Sequence, residues 1–134
     1  MTLNVPKRVL PTIVFAQFAG TSLWFAGNAI LKELQLEWQL PKDALATVTS
    51  SVQLGFIFGT FTFALLSIAD RFKPSWVFLF CALIGSALNV SLIFLPPTYF
   101  ILLSARFLTG IFIAGIYPVG MKIASDWFEG KLGK

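Results

Sequence analysis

The stretch "ARFLTGIFIAGIYPVG", residues 105–120, places one arginine at the head of a run that is otherwise apolar or small. No other charged residue follows Arg106 until Lys122. A charged residue in such a run is costly to place in lipid, and membrane proteins that contain one usually use it for function. The stretch therefore raises the question of whether the whole chain lies in a membrane.

The composition of the chain indicates that it does. Of the 134 residues, 57% are hydrophobic and 12% are charged, whereas soluble domains carry about 25% charged residues. Fifteen Phe and four Trp residues suit positions that face lipid or the membrane surface. The basic residues lie between apolar runs and form no single face, so they indicate membrane orientation and no nucleic-acid partner. We therefore expect an integral membrane protein whose surroundings are the lipid bilayer.

Charged residues and prolines divide the chain into four apolar runs. Residues 9–31 and 44–69 carry no charge, and each run exceeds the ~20 residues that a helix needs to cross the hydrocarbon core. The uncharged stretch after Lys73 is divided by Pro96 and Pro97, which end one helix and let another begin. The sequence thus predicts an all-α membrane protein with four transmembrane helices, at about 9–31, 44–69, 75–95 and 98–121.

Lys and Arg residues also predict the orientation of these helices. If the N-terminus lies inside, the outer segments hold only Lys32 and Lys42, whereas the inner segments hold Lys7, Arg8, Arg71, Lys73, Lys122, Lys131 and Lys134. The positive-inside rule then places both ends of this chain on the cytoplasmic side. We expect the membrane to be the inner (plasma) membrane of the cell. The first run is not a cleaved signal peptide, because it is longer than the apolar core of such a peptide and contains the polar residues Gln17 and Asn28.

The residue types exclude most catalytic chemistry. The chain has no His and one Cys, so it has no disulfide framework, no zinc-type spacing and no nucleophile–histidine pair. It also lacks the Gly-rich lysine loop that holds nucleotide phosphates. We therefore expect no enzymatic activity, no metal ion and no cofactor.

Polar side chains recur at helical spacing in three of the predicted helices. Such stripes either join helices by hydrogen bonds or line a water-filled pathway near the middle of the membrane, and both interpretations stay open here. Under the second interpretation, the substrate pathway is lined by Gln17, Thr21, Trp24, Asn28, Gln53, Arg106 and Tyr117.

Small residues four positions apart occur in the second and fourth predicted helices. They are Gly55 with Gly59, and Gly110 with Ala114. In lipid, such pairs let two helix backbones approach closely. We expect these four residues to pack helices against one another.

Arg106 needs a partner in the membrane. Counted from Thr98 at about 1.5 Å per residue, it lies about 12 Å below the outer end of its helix. None of the four runs contains Asp or Glu. Unless Arg106 extends to the outer surface, it must face backbone carbonyls, water, an anionic ligand or an acid on another helix.

The residues around Arg106 resemble the fourth-helix motif of the major facilitator superfamily, through Leu102, Arg106 and Gly110. Thr109 and Phe112 depart from that motif. The stretch "SIADRFKPSW", 67–76, is similar to the family's loop between helices two and three, with Ala69, Asp70 and Arg71 matching its core. Three further segments, "SLWFAGNAIL", "SSVQLGFIFGT" and "GIYPVGMKIASDWF", also resemble transporters of this superfamily, in the expected order.

The resemblance implies twelve helices in two halves that rock around a central site, of which this chain would supply the first four as an N-terminal fragment. It implies secondary active transport of a small solute by alternating access, with the remaining helices of the full-length transporter as partners. Arg106 would take part in coupling to substrate or proton, and Asp70 with Arg71 would form a cytoplasmic gate. The charge of Arg106 favours an anionic solute.

Two alternatives differ from this interpretation. A complete four-helix exporter could act as a dimer, as in the small multidrug resistance family, but those proteins carry a Glu in the first helix, where this chain has Gln17 and Asn28. A membrane scaffold without transport is the other alternative. It predicts that Arg106→Ala disturbs only assembly.

Overall fold

The computed structural model describes residues 6–128, which form helices joined by short turns. In chain order these are α1 (Val9–Ala29), α2 (Leu31–Glu37), α3 (Ala44–Leu65), α4 (Ile68–Arg71), α5 (Pro74–Ser91), α6 (Tyr99–Ile113) and α7 (Tyr117–Trp127). No residue from 6 to 128 lies in a β-strand. The all-α fold predicted from the sequence is confirmed.

In the part of the chain that the structure describes, four helical stretches are long and apolar enough to cross a membrane: Val9–Glu37, Ala44–Leu65, Pro74–Ser91 and Tyr99–Trp127. Many of their large apolar side chains point outward, among them Phe15 and Phe18, each 73% exposed. Contact of these rings with water would be unfavourable, whereas lipid accommodates them. Residues 6–128 thus contain the four transmembrane helices predicted from the sequence.

The first crossing is longer than the predicted range 9–31. The backbone leaves the helical conformation only at Ile30 (φ −106°, ψ 0°). Helix α2 then continues to Glu37. The outer segment predicted to follow residue 31 therefore begins as a continuation of the first helix.

The second and third crossings are shorter than their predicted ranges. Helix α3 ends at Leu65 rather than 69, and Ser67 just beyond it has a left-handed backbone (φ 49°, ψ 41°) that an α-helix cannot contain. Helix α5 begins at Pro74, whose fixed φ and missing N–H suit the first turn. It ends at Ser91 rather than 95.

The fourth crossing is interrupted, whereas the sequence predicted one helix over 98–121. Between α6 and α7, the amides of Gly115 and Ile116 donate to carbonyls three residues earlier, at 3.0 and 2.9 Å. This is the tighter 3₁₀ pattern. Pro118, at the second position of α7, has no N–H to donate. The break places Tyr117 at the start of a new helix inside the span.

Helices α3 and α6 form the most extensive helix pair in the described residues. Gly55 lies against the backbone of Phe107, and Gly110 lies against the backbone of Val52. Gly59 faces Ala114, with 3.0 Å between its ideal β-carbon position and Ala114 Cβ. We call Gly55, Gly59, Gly110 and Ala114 the glycine seam. These are the four residues that the sequence predicted to pack helices against one another, and they lie where α3 and α6 meet.

Two buried apolar clusters lie towards opposite ends of the fourth crossing. One contains Val77, Cys81, Ile116 and Val119, from α5 and the α6–α7 segment. The other contains Leu31, Val48 and Leu102, from α2, α3 and α6. Arg106 comes between Leu102 and Ile116 in the chain, so it lies in the middle of the packed bundle.

Candidate functional site

Arg106 is fully buried inside the bundle, at 0% exposed. Its side chain extends from α6 to α1, where Nη1 donates to the carbonyl of Leu23 at 3.2 Å and Nη2 donates to the carbonyl of Trp24. A carbonyl oxygen has two lone pairs, so each can also accept from an amide one turn further along α1. Of the partners considered from the sequence, the structure thus gives Arg106 backbone carbonyls.

A third contact to Arg106 comes from α5. Asn89 Oδ1 accepts from Nη1 at 3.1 Å. The amide nitrogen of Asn89 donates to Gly85 O at 2.9 Å and to Thr109 Oγ1 at 3.5 Å, and Thr109 donates to Ala105 O at 2.7 Å. All acceptors of Arg106 within residues 6–128 are neutral, so its charge is stabilised by oriented dipoles and by no carboxylate.

Gly27 provides the surface of α1 on which the guanidinium lies. A β-carbon at position 27 would lie 2.8 Å from Nε and 2.9 Å from Cζ of Arg106. Arg106 Nε is buried there and has no hydrogen-bond partner in the described residues. We call Arg106, Asn89, Gly27 and the carbonyls of Leu23 and Trp24 the arginine seat.

Three of the predicted pathway residues line one open groove of about 350 Å³ beside the seat. They are Thr21 and Trp24 on α1 and Tyr117 on α7; the other lining residues are Phe25, Phe56 and Ile113. The ring of Trp24 packs edge-on against that of Phe56, with 5.2 Å between centroids. The groove thus offers aromatic faces and two hydroxyl groups, and none of its lining residues is charged.

Gln17 lies one turn before Thr21 and makes a contact between helices. Its Nε2 donates to the carbonyl of Tyr117 at 3.0 Å. A β-carbon at Gly120 would overlap Gln17 Oε1, so the missing side chain makes room for the amide. Gln17 therefore ties α1 to the start of α7, the helix that carries Tyr117.

The remaining two polar pathway residues lie outside the groove. Asn28 Nδ2 donates to Thr49 Oγ1 at 3.2 Å and so joins α1 to α3. Gln53 is exposed. It lies three residues before Phe56, on the same face of α3. The predicted stripes thus serve in part as hydrogen bonds between helices and in part as groove lining.

Asp70, one of the two predicted gate residues, forms an ion pair with Lys122. The Nζ–Oδ1 distance is 2.7 Å, and the side chains are 69% and 37% exposed for Asp70 and Lys122 respectively. The pair links α4, between the second and third crossings, to α7. Arg71 is exposed next to Asp70 in the chain.

Sequence reasoning missed Gly27, Asn89 and Lys122 as site residues. Asn89 carried a usable signal, because a carboxamide in a lipid-spanning helix usually finds a partner on another helix. Gly27 and Lys122 carried none, since their partners are 79 and 52 positions away and only the packing brings them together. Within residues 6–128, no cluster of His, Cys, Asp or Glu could hold a metal ion.

Four membrane-crossing helices within residues 6–128, joined in mid-span by polar contacts, define a multi-pass membrane protein. The family model of the Major Facilitator Superfamily matches residues 12–134. The chain belongs to this superfamily, as its motifs predicted. Comparisons with curated proteins and with solved structures found no match.

The family establishes the general function. Members of the Major Facilitator Superfamily are transporters and not enzymes, so the function of this chain is membrane transport. Its partners are accordingly the lipid bilayer and a small-molecule substrate.

Proposed function

We propose that these four helices belong to a secondary active transporter of the inner (plasma) membrane that moves a small solute by alternating access. The observation that supports this most is the groove, in which Thr21, Trp24 and Tyr117 come together from two distant parts of the chain. The groove is open on the surface of the four-helix unit, and further helices of the transporter would complete a central pathway against it.

In this proposal the solute contacts the groove directly, and Arg106 acts through α1. The hydroxyl group of Tyr117 can donate or accept a hydrogen bond, whereas that of Thr21 donates to the carbonyl of Gln17 at 2.7 Å and can only accept from a solute. The Trp24 ring can stack on a solute. Arg106 is fully buried and already donates to three protein acceptors. Direct binding of an anionic solute, the class that the charge of Arg106 favours, would therefore require α1 and α6 to separate.

The Asp70–Lys122 ion pair fits a gate at the end that we expect to be cytoplasmic. Exposed ion pairs contribute little to stability because water solvates both charges well. A gate needs such a contact, since alternating access requires two states that differ by only a few kcal/mol. Breaking the pair should therefore shift the populations of the two states without unfolding the protein.

Thiol labelling tests this proposal without knowledge of the solute. In a full-length transporter from which Cys81 and any other native cysteine have been removed, we expect Thr21→Cys to react with a membrane-impermeant maleimide, because alternating access opens the groove to water. Adding Asp70→Asn should raise its labelling rate from the cytoplasmic side. Leu83→Cys is the matched control, since Leu83 is 57% exposed on α5 but does not line the groove.

Lipid should shield the thiol at position 83 from the reagent. If the thiol at position 21 reacts from neither side, or no faster than the thiol at position 83, the groove is not a solute pathway. Labelling of position 21 that is unaffected by Asp70→Asn would retain the pathway but exclude the gate.

A further inference from the structure

We propose that Gly27 is a positioning residue for Arg106. Its missing side chain creates a flat seat on α1 that accepts a planar guanidinium, and Arg106 thereby fixes the turn of α1 that carries Trp24. The inference concerns how α1, α5 and α6 are joined, so it stands or falls separately from the solute pathway.

The first step is steric. The ideal β-carbon position of Gly27 lies within 3.1 Å of Nε, Cζ and Cδ of Arg106. Arg106 could avoid an added methyl group only by moving its guanidinium, and that group is held at three acceptors on two helices. The observed position of the Arg106 guanidinium therefore requires a residue without a side chain at position 27.

The second step concerns the orientation of the guanidinium. Its donors are fixed in one plane. Two carbonyls on α1 and the oxygen of Asn89 on α5 take donors from Nη1 and Nη2. Asn89 presents its oxygen because its amide nitrogen is committed to Gly85 O and Thr109 Oγ1. A lysine ammonium at position 106 would lack this planar fork.

The third step links the seat to the groove. The carbonyl of Trp24 accepts from Arg106, while the side chain of the same residue packs on Phe56 and lines the groove. A shift of the guanidinium would break its hydrogen bond to this carbonyl. The turn of α1 around Trp24 would then be free to move. Arg106 therefore sets the position of the Trp24 ring, which lines the groove.

A double-mutant cycle tests the match between positions 27 and 106. We compare melting temperatures of the full-length protein in lipid nanodiscs for Gly27→Ala, Arg106→Leu and the pair. Because the added methyl group displaces the guanidinium, Gly27→Ala should lower the melting temperature by about 5 °C or more. In the Arg106→Leu background the same change should shift it by less than about 1 °C, since neighbouring mutations couple through their contact.

Gly20→Ala is the matched control on the same helix. Gly20 is also buried, but a β-carbon there would meet Ile116 and Phe78 instead of Arg106. Its effect should be the same in both backgrounds, because sites without shared partners add. A Gly27→Ala effect that is equally large in both backgrounds, or absent from both, would overturn the inference.

Hydrogen exchange provides a readout that general destabilisation would not produce. In Gly27→Ala, amides of residues 24–30 should exchange at least about tenfold faster, with α3 unchanged, because only this turn of α1 loses its contact with Arg106. Uniformly faster exchange in α1 and α3 would contradict the proposal. If Gly27→Ala alone does not fold, recovery of folded protein by adding Arg106→Leu supports the match, and failure of that rescue overturns it.

Discussion

The glycine seam and the arginine seat both use glycine to bring groups close together, but they join helices in different ways. In the seam, Gly55 and Gly110 let the backbones of α3 and α6 touch. In the seat, Gly27 lets a charged side chain reach the carbonyls of α1. The seam joins two helices along their length, whereas the seat joins α1, α5 and α6 at one point.

The difference shows what holds helices together when the solvent is lipid. Apolar surface gains little from leaving lipid, so close van der Waals packing and hydrogen bonds must supply the association. The seam supplies the first, without direction or charge. The seat supplies the second, and its strength depends on the exact side chain at positions 27, 89 and 106. We therefore expect substitutions in the two regions to differ in size and in how they couple.

The largest effect should come from adding a side chain in the seam. Gly110→Val would place its β-carbon against the backbone of Val52, which cannot move as a flexible side chain can. We expect α3 and α6 to separate and the free energy of unfolding to fall by about 3 kcal/mol or more, the upper range for overpacked cores. Thermal unfolding in nanodiscs measures this.

Ala64→Val is the control for that substitution, because Ala64 is exposed on α3 and its change adds a β-branched side chain outside the seam. It should leave the stability nearly unchanged. A loss for Gly110→Val no greater than the loss for Ala64→Val would mean that α3 and α6 do not pack as closely as described.

A smaller effect should follow from removing one acceptor in the seat. Asn89→Leu leaves Arg106 Nη1 with the Leu23 carbonyl alone, and a hydrogen bond to a charged group contributes about 1.5–3 kcal/mol. Asn89→Asp loses the amide donor to Gly85 O and Thr109 Oγ1 but retains an oxygen acceptor for Arg106, so it should lose less stability at neutral pH than Asn89→Leu. Chemical unfolding of both variants measures the difference. Equal losses for Leu and Asp would show that the side-chain oxygen of Asn89 does not stabilise Arg106.

The seam was far easier to predict from the sequence than the seat. Gly55 with Gly59, and Gly110 with Ala114, follow a local spacing that produces a small helix surface wherever the partner lies. The four crossings were equally accessible, because lipid requires about 20 apolar residues in a row whatever the tertiary structure. The helix ends were harder to predict. They depend on the left-handed backbone of Ser67 and on the turn before Tyr117, which the pattern of apolar residues does not specify.

The seat could be predicted only in part. The lack of any acid in the four runs shows that Arg106 has no carboxylate partner within them, which leaves backbone carbonyls, water, an anionic ligand or an acid on another helix. Which carbonyls it reaches depends on the relative positions of α1 and α6, which no local pattern specifies. The same holds for the groove, where Thr21 and Trp24 share a local stripe but Tyr117 joins them only through the fold.

Reaction of the folded protein with phenylglyoxal, read by mass spectrometry, tests most directly whether Arg106 is enclosed by α1, α5 and α6. The chain has three arginines, and Arg8 and Arg71 are exposed internal controls. Since reaction at position 106 requires local opening of the bundle, we expect Arg106 to react at least about a hundredfold more slowly than Arg71 until the protein is unfolded. Modification of Arg106 at the rate of Arg71 in the folded protein would contradict a guanidinium held on the carbonyls of Leu23 and Trp24.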